Sequence, residues 1–308
     1  MNFAIRKVTM EVRTFHRWVR PTLMELKKRK DKMDFVEPNR RSGFLEWNYN
    51  AELYAFGKRL GEDFDKDLLK NALIENSYLE QEELRQKKVG IEPDLSIKDN
   101  SSLSADGEKL MDSYINDYLE ATLPNLPRRY VKKLKEYLMS EELLAKISKG
   151  IGIGDLVLCA EFPIAKSTLA RTLKSVIQAL ALSQGSERAN RFVRDLVLVE
   201  LVDQDLTSFC IPENPLDTLQ DILKKSGADP AEPRLIAEVG RNSVLASYQV
   251  GIYSSKKMIG RGFGEDIQTA RDMAACDALW RRWGILSHKR PFPFKLELPL
   301  KTTSGNCQ

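Results

Sequence analysis

The chain has few of the residues on which histidine, zinc or disulfide chemistry depends. It contains two histidines and four cysteines among 308 residues. His16 and His288 lie near the two ends, which argues against histidine-based catalysis in a folded core. The cysteines lie far apart without a CxxC pair, which argues against a zinc site or a disulfide framework. No run approaches the ~20 apolar residues that a membrane-spanning helix needs.

Positive charge is concentrated at the N-terminus. Residues 1–41 hold 12 Lys and Arg against 5 Asp and Glu, whereas the other 267 residues hold 36 against 39. The densest run is Lys27, Lys28, Arg29 and Lys30, and Lys32 follows it. Such a run is either a solvated tail or an arm along phosphates, where each neutralised phosphate releases counterions. Charge alone leaves both interpretations open.

The first 24 residues predict a targeting segment. They carry five Lys and Arg against Glu11 alone, with apolar residues between them. A basic, acid-poor and partly amphipathic start is typical of a mitochondrial transit peptide, and it lacks the apolar core of a secretory signal.

The rest of the chain divides into two regions with different patterns of apolar residues. In residues 47–205 apolar residues recur at helical spacing, which predicts an all-helical domain. Residues 213–286 instead indicate a helix, three strands and a second helix, in the order α-β-β-β-α. The expected fold class is therefore α plus α+β. Residues 1–46 are expected to form a basic arm, and residues 287–308 an extended tail.

Finer boundaries follow from the same patterns. Strands are expected at 234–239, 246–254 and 257–262, with a hairpin turn at Ser255 and Lys256. The polar segment 91–102 is expected to be a loop, and residues 190–202 the last helix of the first domain.

The α-β-β-β-α region resembles the double-stranded-RNA-binding domains. The matching segments are Thr218–Asp221, Tyr248–Val250, Gly260–Gly262, Ala270–Arg271 and Ala274–Ala275. The resemblance implies recognition of A-form RNA through phosphates and 2′-hydroxyls. Only Arg271 remains of three family cations at the start of the second helix, and Glu265 and Asp266 lie beside it. RNA contact, through Arg241 and Arg271, and docking to a protein both remain open.

The helical region resembles ribonuclease III. Leu68–Tyr78 is similar to that family's LLxxALTHxSY, with Glu75 in place of the histidine. Tyr118–Pro124 is similar to its EYLxxxxP. The resemblance implies a helical nuclease fold, and it implies a pairing partner for this domain because ribonuclease III domains commonly pair through helical faces.

Four positions that carry metal-binding acids in ribonuclease III hold other residues here. Residues 100–108 fall under NERLEFLGD and residues 170–179 under ADTFEALIGA. The four positions are Ser101, Ser104, Arg171 and Lys174. A hydroxyl is a weak ligand for Mg²⁺, and cations repel it. The resemblance thus implies no catalytic residue, metal site or cofactor, although a small alignment shift could supply Asp106 or Asp112. If Arg171 and Lys174 have no functional role, they are expected to form the exposed side of a helix.

A more particular resemblance covers most of the chain. Glu46–Tyr78, Val89–Glu92 and Arg191–Leu201 resemble a family of mitochondrial large-ribosomal-subunit proteins, the one numbered forty-four. That family combines a targeting start with both domains and lacks the nuclease acids. It implies a structural protein of the ribosome in the mitochondrial matrix, which binds ribosomal RNA and neighbouring proteins.

The arm and the second domain supply the candidate RNA contacts. They are Lys27, Lys28, Arg29, Lys30, Lys32, Arg241 and Arg271. Two alternatives stay open: an active metal-dependent endoribonuclease for duplex RNA, and a duplex-RNA-binding regulator outside ribosomes.

Overall fold

The computed structural model describes residues 20–29, 31–32, 40–44, 46–90, 98–202, 204–241 and 243–286. The predicted tail 287–308, the first 19 residues and Lys30 lie outside the described residues. The chain divides into two compact units, Met1–Trp47 and Asn48–Gln308. In the first unit, residues 20–29 are helical and exposed. The Arg41 guanidinium carbon there lies 5.6 Å from the centroid of the Trp47 ring.

The second unit begins with the predicted helical domain. Its helices are α1 Tyr49–Leu60, α2 Lys66–Leu73, α3 Asn76–Val89, α4 Ser101–Thr122, α5 Arg128–Leu138, α6 Glu141–Ile151, α7 Ile153–Leu156, α8 Lys166–Gln184, α9 Ser186–Leu196 and α10 Leu206–Phe209. The predicted loop 91–102 ends earlier than expected, because α4 already begins at Ser101. The predicted last helix is also displaced: α9 ends at Leu196, and a 3-10 turn follows at Leu198–Leu201.

Helix α8 is the centre of this domain. Leu169, Leu173, Val176 and Leu180 are among its buried residues, and α2, α4, α6 and α9 pack around it. Its approach to α4 is very close, since a Cβ added at Gly107 would lie 2.1 Å from the Lys174 backbone oxygen. Only glycine allows these two backbones to meet in this way.

The second domain has the predicted α-β-β-β-α order. It consists of α11 Pro215–Lys225, β1 Glu232–Val239, β2 Ser247–Ser254, β3 Lys257–Gly264 and α12 Ile267–Trp283. The strands form an antiparallel sheet in the order β1-β2-β3. The predicted hairpin turn is confirmed at Ser255 and Lys256, both of which have positive φ (51° and 64°). The fold class predicted from the sequence is therefore confirmed.

Glycines on β3 let α12 lie directly on the strand. A Cβ added at Gly262 would lie 2.2 Å from the Ala274 backbone nitrogen, and one at Gly264 would lie 2.6 Å from that of Ala270. Gly260 makes a similar approach to Ala274 and Ala278. This face of the sheet is therefore covered by helix backbone and alanine methyl groups.

The two domains of this unit touch through aromatic side chains. The Tyr130 ring of α5 and the Trp283 ring of α12 have centroids 5.1 Å apart. Near them, Trp280 Nε1 donates a hydrogen bond of 3.0 Å to the Cys210 backbone oxygen. These contacts fix the end of α12 against the helical domain.

Candidate functional site

The residues at the ribonuclease-type acid positions lie where α4 and α8 pack together. Ser101 begins α4, and its hydroxyl donates a 2.5 Å hydrogen bond to Asp99 Oδ2. Ser104 is buried one turn further on. The two helices are also joined by Ser175, whose hydroxyl donates to the Asn100 backbone oxygen at 3.2 Å.

Lys174 forms an ion pair across these helices. Its Nζ lies 3.1 Å from Glu108 Oε1, and its side chain is only 15% exposed. The interpretation of Lys174 as the exposed side of a helix is therefore wrong. Gly107, one residue before Glu108, lets the α4 backbone lie close to the Lys174 backbone oxygen. The carboxylate of Glu108 thus faces a fixed positive charge.

Glu75 is the acceptor for three side chains on two helices. Thr168 Oγ1 and Ser77 Oγ each donate to its carboxylate at 3.1 Å. Arg171 Nη1 lies 3.5 Å from Glu75 Oε1, with the Glu75 side chain 12% exposed and that of Arg171 48% exposed. Buried carboxylates need such partners, because an unpaired charge in low dielectric is costly.

The role of Glu75 was missed in the sequence. An acid there replaces a histidine of the family motif, and a cation at Arg171 replaces an acid. This reciprocal exchange of charge was the signal that could have paired the two positions. Their sequence separation hid it, because the packing of α2 against α8 brings Glu75, which lies just after α2, close to Arg171.

The two carboxylates that an alignment shift might supply have other partners. Asp106 Oδ1 lies 3.1 Å from Lys109 Nζ, and Asp112 Oδ1 lies 2.9 Å from Lys135 Nζ. Within the described parts of the chain, no group of three or more His, Cys, Asp and Glu side chains could hold a metal ion.

The candidate RNA contacts of the second domain lie on different elements. Arg241 is exposed in the β1–β2 turn, 3.5 Å from Glu238 Oε1. Arg271 lies in α12, and its Nε is buried without a hydrogen bond, 3.8 Å from Asp272 Oδ1. Glu265 and Asp266 precede this helix, so the positive end of its dipole faces acidic residues.

The candidate residues of the arm are exposed wherever they are described. Lys27, Lys28, Arg29 and Lys32 all face solvent, and Arg29 Nε lies 3.7 Å from Glu25 Oε1. Lys30 lies outside the described residues. The separate arm unit thus presents most of its predicted cations for contact.

One cationic surface was missed in the sequence. Arg128, Arg129, Lys132 and Lys133 are exposed on α5, whose opposite side is buried. The run RRYVKKLK carried this signal as an amphipathic helix with one basic face. None of the described helices has both the length and the apolar character needed to cross a membrane.

The helical domain and the α-β-β-β-α domain define a ribonuclease III-like protein with a double-stranded-RNA-binding-like domain. Two family models match the chain: the endonuclease domain of large ribosomal subunit protein mL44 over residues 48–180, and the MRPL44 dsRNA-binding domain over residues 211–306. The large ribosomal subunit protein mL44 of Caenorhabditis elegans is 32% identical over 277 residues, which are 89% of this chain and 69% of that protein. The chain belongs to the mL44 family, and the resemblance stated from the sequence motifs is therefore confirmed.

More distant similarity extends to bacterial nucleases. Ribonuclease 3 of Symbiobacterium thermophilum is 29% identical over 228 residues, covering 71% of this chain and 90% of that enzyme. The solved nuclease domain of Campylobacter jejuni ribonuclease III is 24% identical, with a TM-score of 0.41, and covers 51% of this chain and 99% of that chain.

Proposed function

We propose that this chain is a structural component of the large subunit of the mitochondrial ribosome. It binds ribosomal RNA and neighbouring proteins through a catalytically inactive ribonuclease III-like scaffold. Membership of the mL44 family supports the ribosomal role, because the Caenorhabditis elegans relative bears the name of a large-subunit protein. The basic, acid-poor start supports a location in the mitochondrial matrix.

The Lys174–Glu108 ion pair is the main observation in support of catalytic inactivity. Mg²⁺ prefers carboxylate, carbonyl and water oxygens, held so that the metal can orient an attacking water. Here Glu108 Oε1 is 3.1 Å from an ammonium group, and Glu75 is neutralised by Arg171. The Ser101 hydroxyl is engaged with Asp99. This set of groups does not fit a divalent cation.

Two surfaces are proposed to contact ribosomal RNA. The first is the arm, through Lys27, Lys28, Arg29, Lys30 and Lys32. The second is the α-β-β-β-α domain, through Arg241 and Arg271. The exposure of Arg241 supports phosphate contact there. The acidic start of α12 instead favours docking to protein, so both partners are proposed for this domain.

The domain limits and the pairing surface also belong to the proposal. We retain 1–46 as the arm, 47–205 and 213–286 as the domains, and 287–308 as the tail. A pairing partner for the helical domain would require an apolar surface. Leu84 and Val89 of α3 are exposed apolar side chains in this domain.

A cleavage assay tests inactivity. The purified chain is incubated with duplex RNA and Mg²⁺ or Mn²⁺, with a bacterial ribonuclease 3 as positive control. No cleavage is expected. Cleavage that disappears in Glu108→Gln would establish the active nuclease instead.

Sedimentation tests the ribosomal role. Mitochondrial lysate is separated on a density gradient, and the chain is expected in the large-subunit fraction. A chain found only in light fractions, yet bound to duplex RNA, would establish the regulator outside ribosomes.

A further inference from the structure

Helix α5 divides sharply into an apolar face and a cationic face. Its buried residues are Tyr130, Val131, Leu134 and Leu138. Arg128, Arg129, Lys132 and Lys133 are exposed on the opposite side, together with Glu136. The part of the chain beyond residue 41 has three more acidic than basic residues, so this concentration of cations is local.

The cationic face of α5 lies at the contact between the two domains. The Arg129 guanidinium carbon lies 4.6 Å from the centroid of the Tyr130 ring, and Lys133 Nζ lies 5.8 Å from it. The same ring packs on Trp283 of the second domain, with centroids 5.1 Å apart. Two of the four cations therefore border the domain contact.

The second domain adds a cation to this surface. Arg282, which is exposed at the end of α12, lines a cleft of about 470 Å³ between the domains. The other lining residues are Asn125, Leu126, Pro127, Ile222 and Trp283. Pro127 directly precedes Arg128, so the cationic residues of α5 begin one residue after the cleft lining.

Few carboxylates neutralise these cations. Lys132 Nζ lies 3.7 Å from Glu136 Oε1 on its own helix, an exposed pair of the kind that contributes little. In the ranges that the structure describes, we find no carboxylate within ion-pair distance of Arg128 or Arg282. The surface is thus available to an external polyanion.

We propose that the junction cations, Arg128, Arg129, Lys132, Lys133 and Arg282, bind the phosphate backbone of structured RNA. This inference rests on the proposed RNA-binding function and gives it a second, domain-spanning surface. Each phosphate that these cations neutralise releases counterions, which favours binding. The buried Tyr130–Trp283 contact holds cations of both domains in fixed relative positions, which reduces the conformational entropy lost on binding.

Matched charge variants of the full chain test the proposal. The junction variant carries Arg128→Gln, Lys132→Gln and Arg282→Gln, which are exposed residues from both domains. The control variant carries Arg85→Gln, Lys87→Gln and Lys88→Gln, exposed residues of α3 that remove the same charge. The binding of each variant to a labelled RNA duplex is measured. The duplex has about 20 base pairs, which is longer than one double-stranded-RNA-binding domain spans. Affinity is measured from about 50 to 200 mM KCl.

The junction variant is expected to bind about tenfold more weakly at low salt, with a salt slope reduced by roughly one for each phosphate that is no longer neutralised. The control variant should retain the affinity of the unaltered chain within about twofold. Equal reductions of affinity in both variants, or none in the junction variant, would overturn the proposal. Binding of poly-glutamate to the junction cations as tightly as RNA would overturn it too.

Cross-linking gives a second readout that does not depend on how a variant folds. The unaltered chain is irradiated with a 4-thiouridine-substituted duplex, and cross-linked peptides are mapped. Cross-links at 125–138 and 280–286 are expected, and their absence would contradict the proposal. An unaltered chain that binds no duplex would also overturn it, while sedimentation tests the ribosomal role separately.

Discussion

Tyr130 and Trp283 join the two domains of the second unit through a tilted aromatic contact. Their ring centroids are 5.1 Å apart and their planes meet at 45°. Tyr130 is 1% exposed and Trp283 is 3% exposed, so both rings are fully packed. Tyr130 Oη also accepts a 2.7 Å hydrogen bond from Arg129 Nη2. Each domain thus buries one aromatic residue against the other.

Removal of the Trp283 side chain should destabilise the chain strongly. Trp283→Ala is expected to lower the free energy of unfolding by about 3–5 kcal/mol, because it leaves a cavity beside Tyr130. Urea denaturation measures the loss, and Trp283→Phe serves as the control because it keeps a ring. A loss below about 1 kcal/mol in Trp283→Ala would show that this contact does not hold the domains together.

The Glu75 carboxylate should matter more to stability than its arginine partner. Glu75→Ala removes the acceptor of two hydroxyls, including that of buried Thr168, and should cost about 1–3 kcal/mol. Arg171→Ala should cost less than about 1 kcal/mol, because Arg171 is half exposed.

Thermal and chemical denaturation of both single variants test this order. Glu75→Gln is the matched control, since its amide oxygen can still accept a hydrogen bond. The reverse order, with Arg171→Ala the more damaging, would contradict the role assigned to Glu75.

The close approach of α4 and α8 should make Gly107 intolerant of a side chain. Gly107→Ala would place a Cβ 2.1 Å from the Lys174 backbone oxygen, so the helices must separate. Overpacking of this kind costs about 1–3 kcal/mol. Gly150→Ala in α6 is the control, because nothing lies within 4 Å of its Cβ position.

The two alanine substitutions should therefore change the free energy of unfolding in different directions. Gly150→Ala is expected to be neutral or to stabilise by up to about 1 kcal/mol, as alanine favours helix. Equal midpoints of urea unfolding for the two variants would contradict the backbone contact.

Two cysteine thiols should resist alkylation in the folded chain. Burial raises the pKa of Cys210 to about 12 and the pKa of Cys276 to about 11. Because the thiolate is the nucleophile, neither should react with iodoacetamide at about pH 8 unless the chain unfolds. Mass spectrometry of peptides from native and urea-treated protein measures this.

The same raised pKa values make the free energy of unfolding depend on pH. In the folded state these thiols keep their protons to higher pH than in the unfolded state. Their contribution to the free energy of unfolding is therefore complete below about pH 8.5 and declines as the pH rises. Rapid alkylation of Cys210 in native buffer would contradict its burial.

The sequence predicted the order of the elements better than the contacts between them. The α-β-β-β-α order and the turn at Ser255 and Lys256 follow from local periodicity and turn chemistry, so they could be predicted. The ion pair of Lys174 with Glu108 could not, because it depends on the packing of α4 against α8. The basic face of α5 was visible as a pattern, but its place beside Trp283 depends on the docking of two domains.

The glycines of β3 allow substitutions on the face of that strand that points away from α12. Gly260, Gly262 and Gly264 meet α12 with backbone alone, and Arg261 bonds to that helix through its backbone N–H, which donates to Asp277 Oδ2 at 2.9 Å. Arg261 and Phe263 are exposed, so substitutions there alter the surface without opening a cavity in the core. Such a strand can acquire a new partner by surface mutation alone, which gives this domain a route from one kind of ligand to another within an unchanged fold.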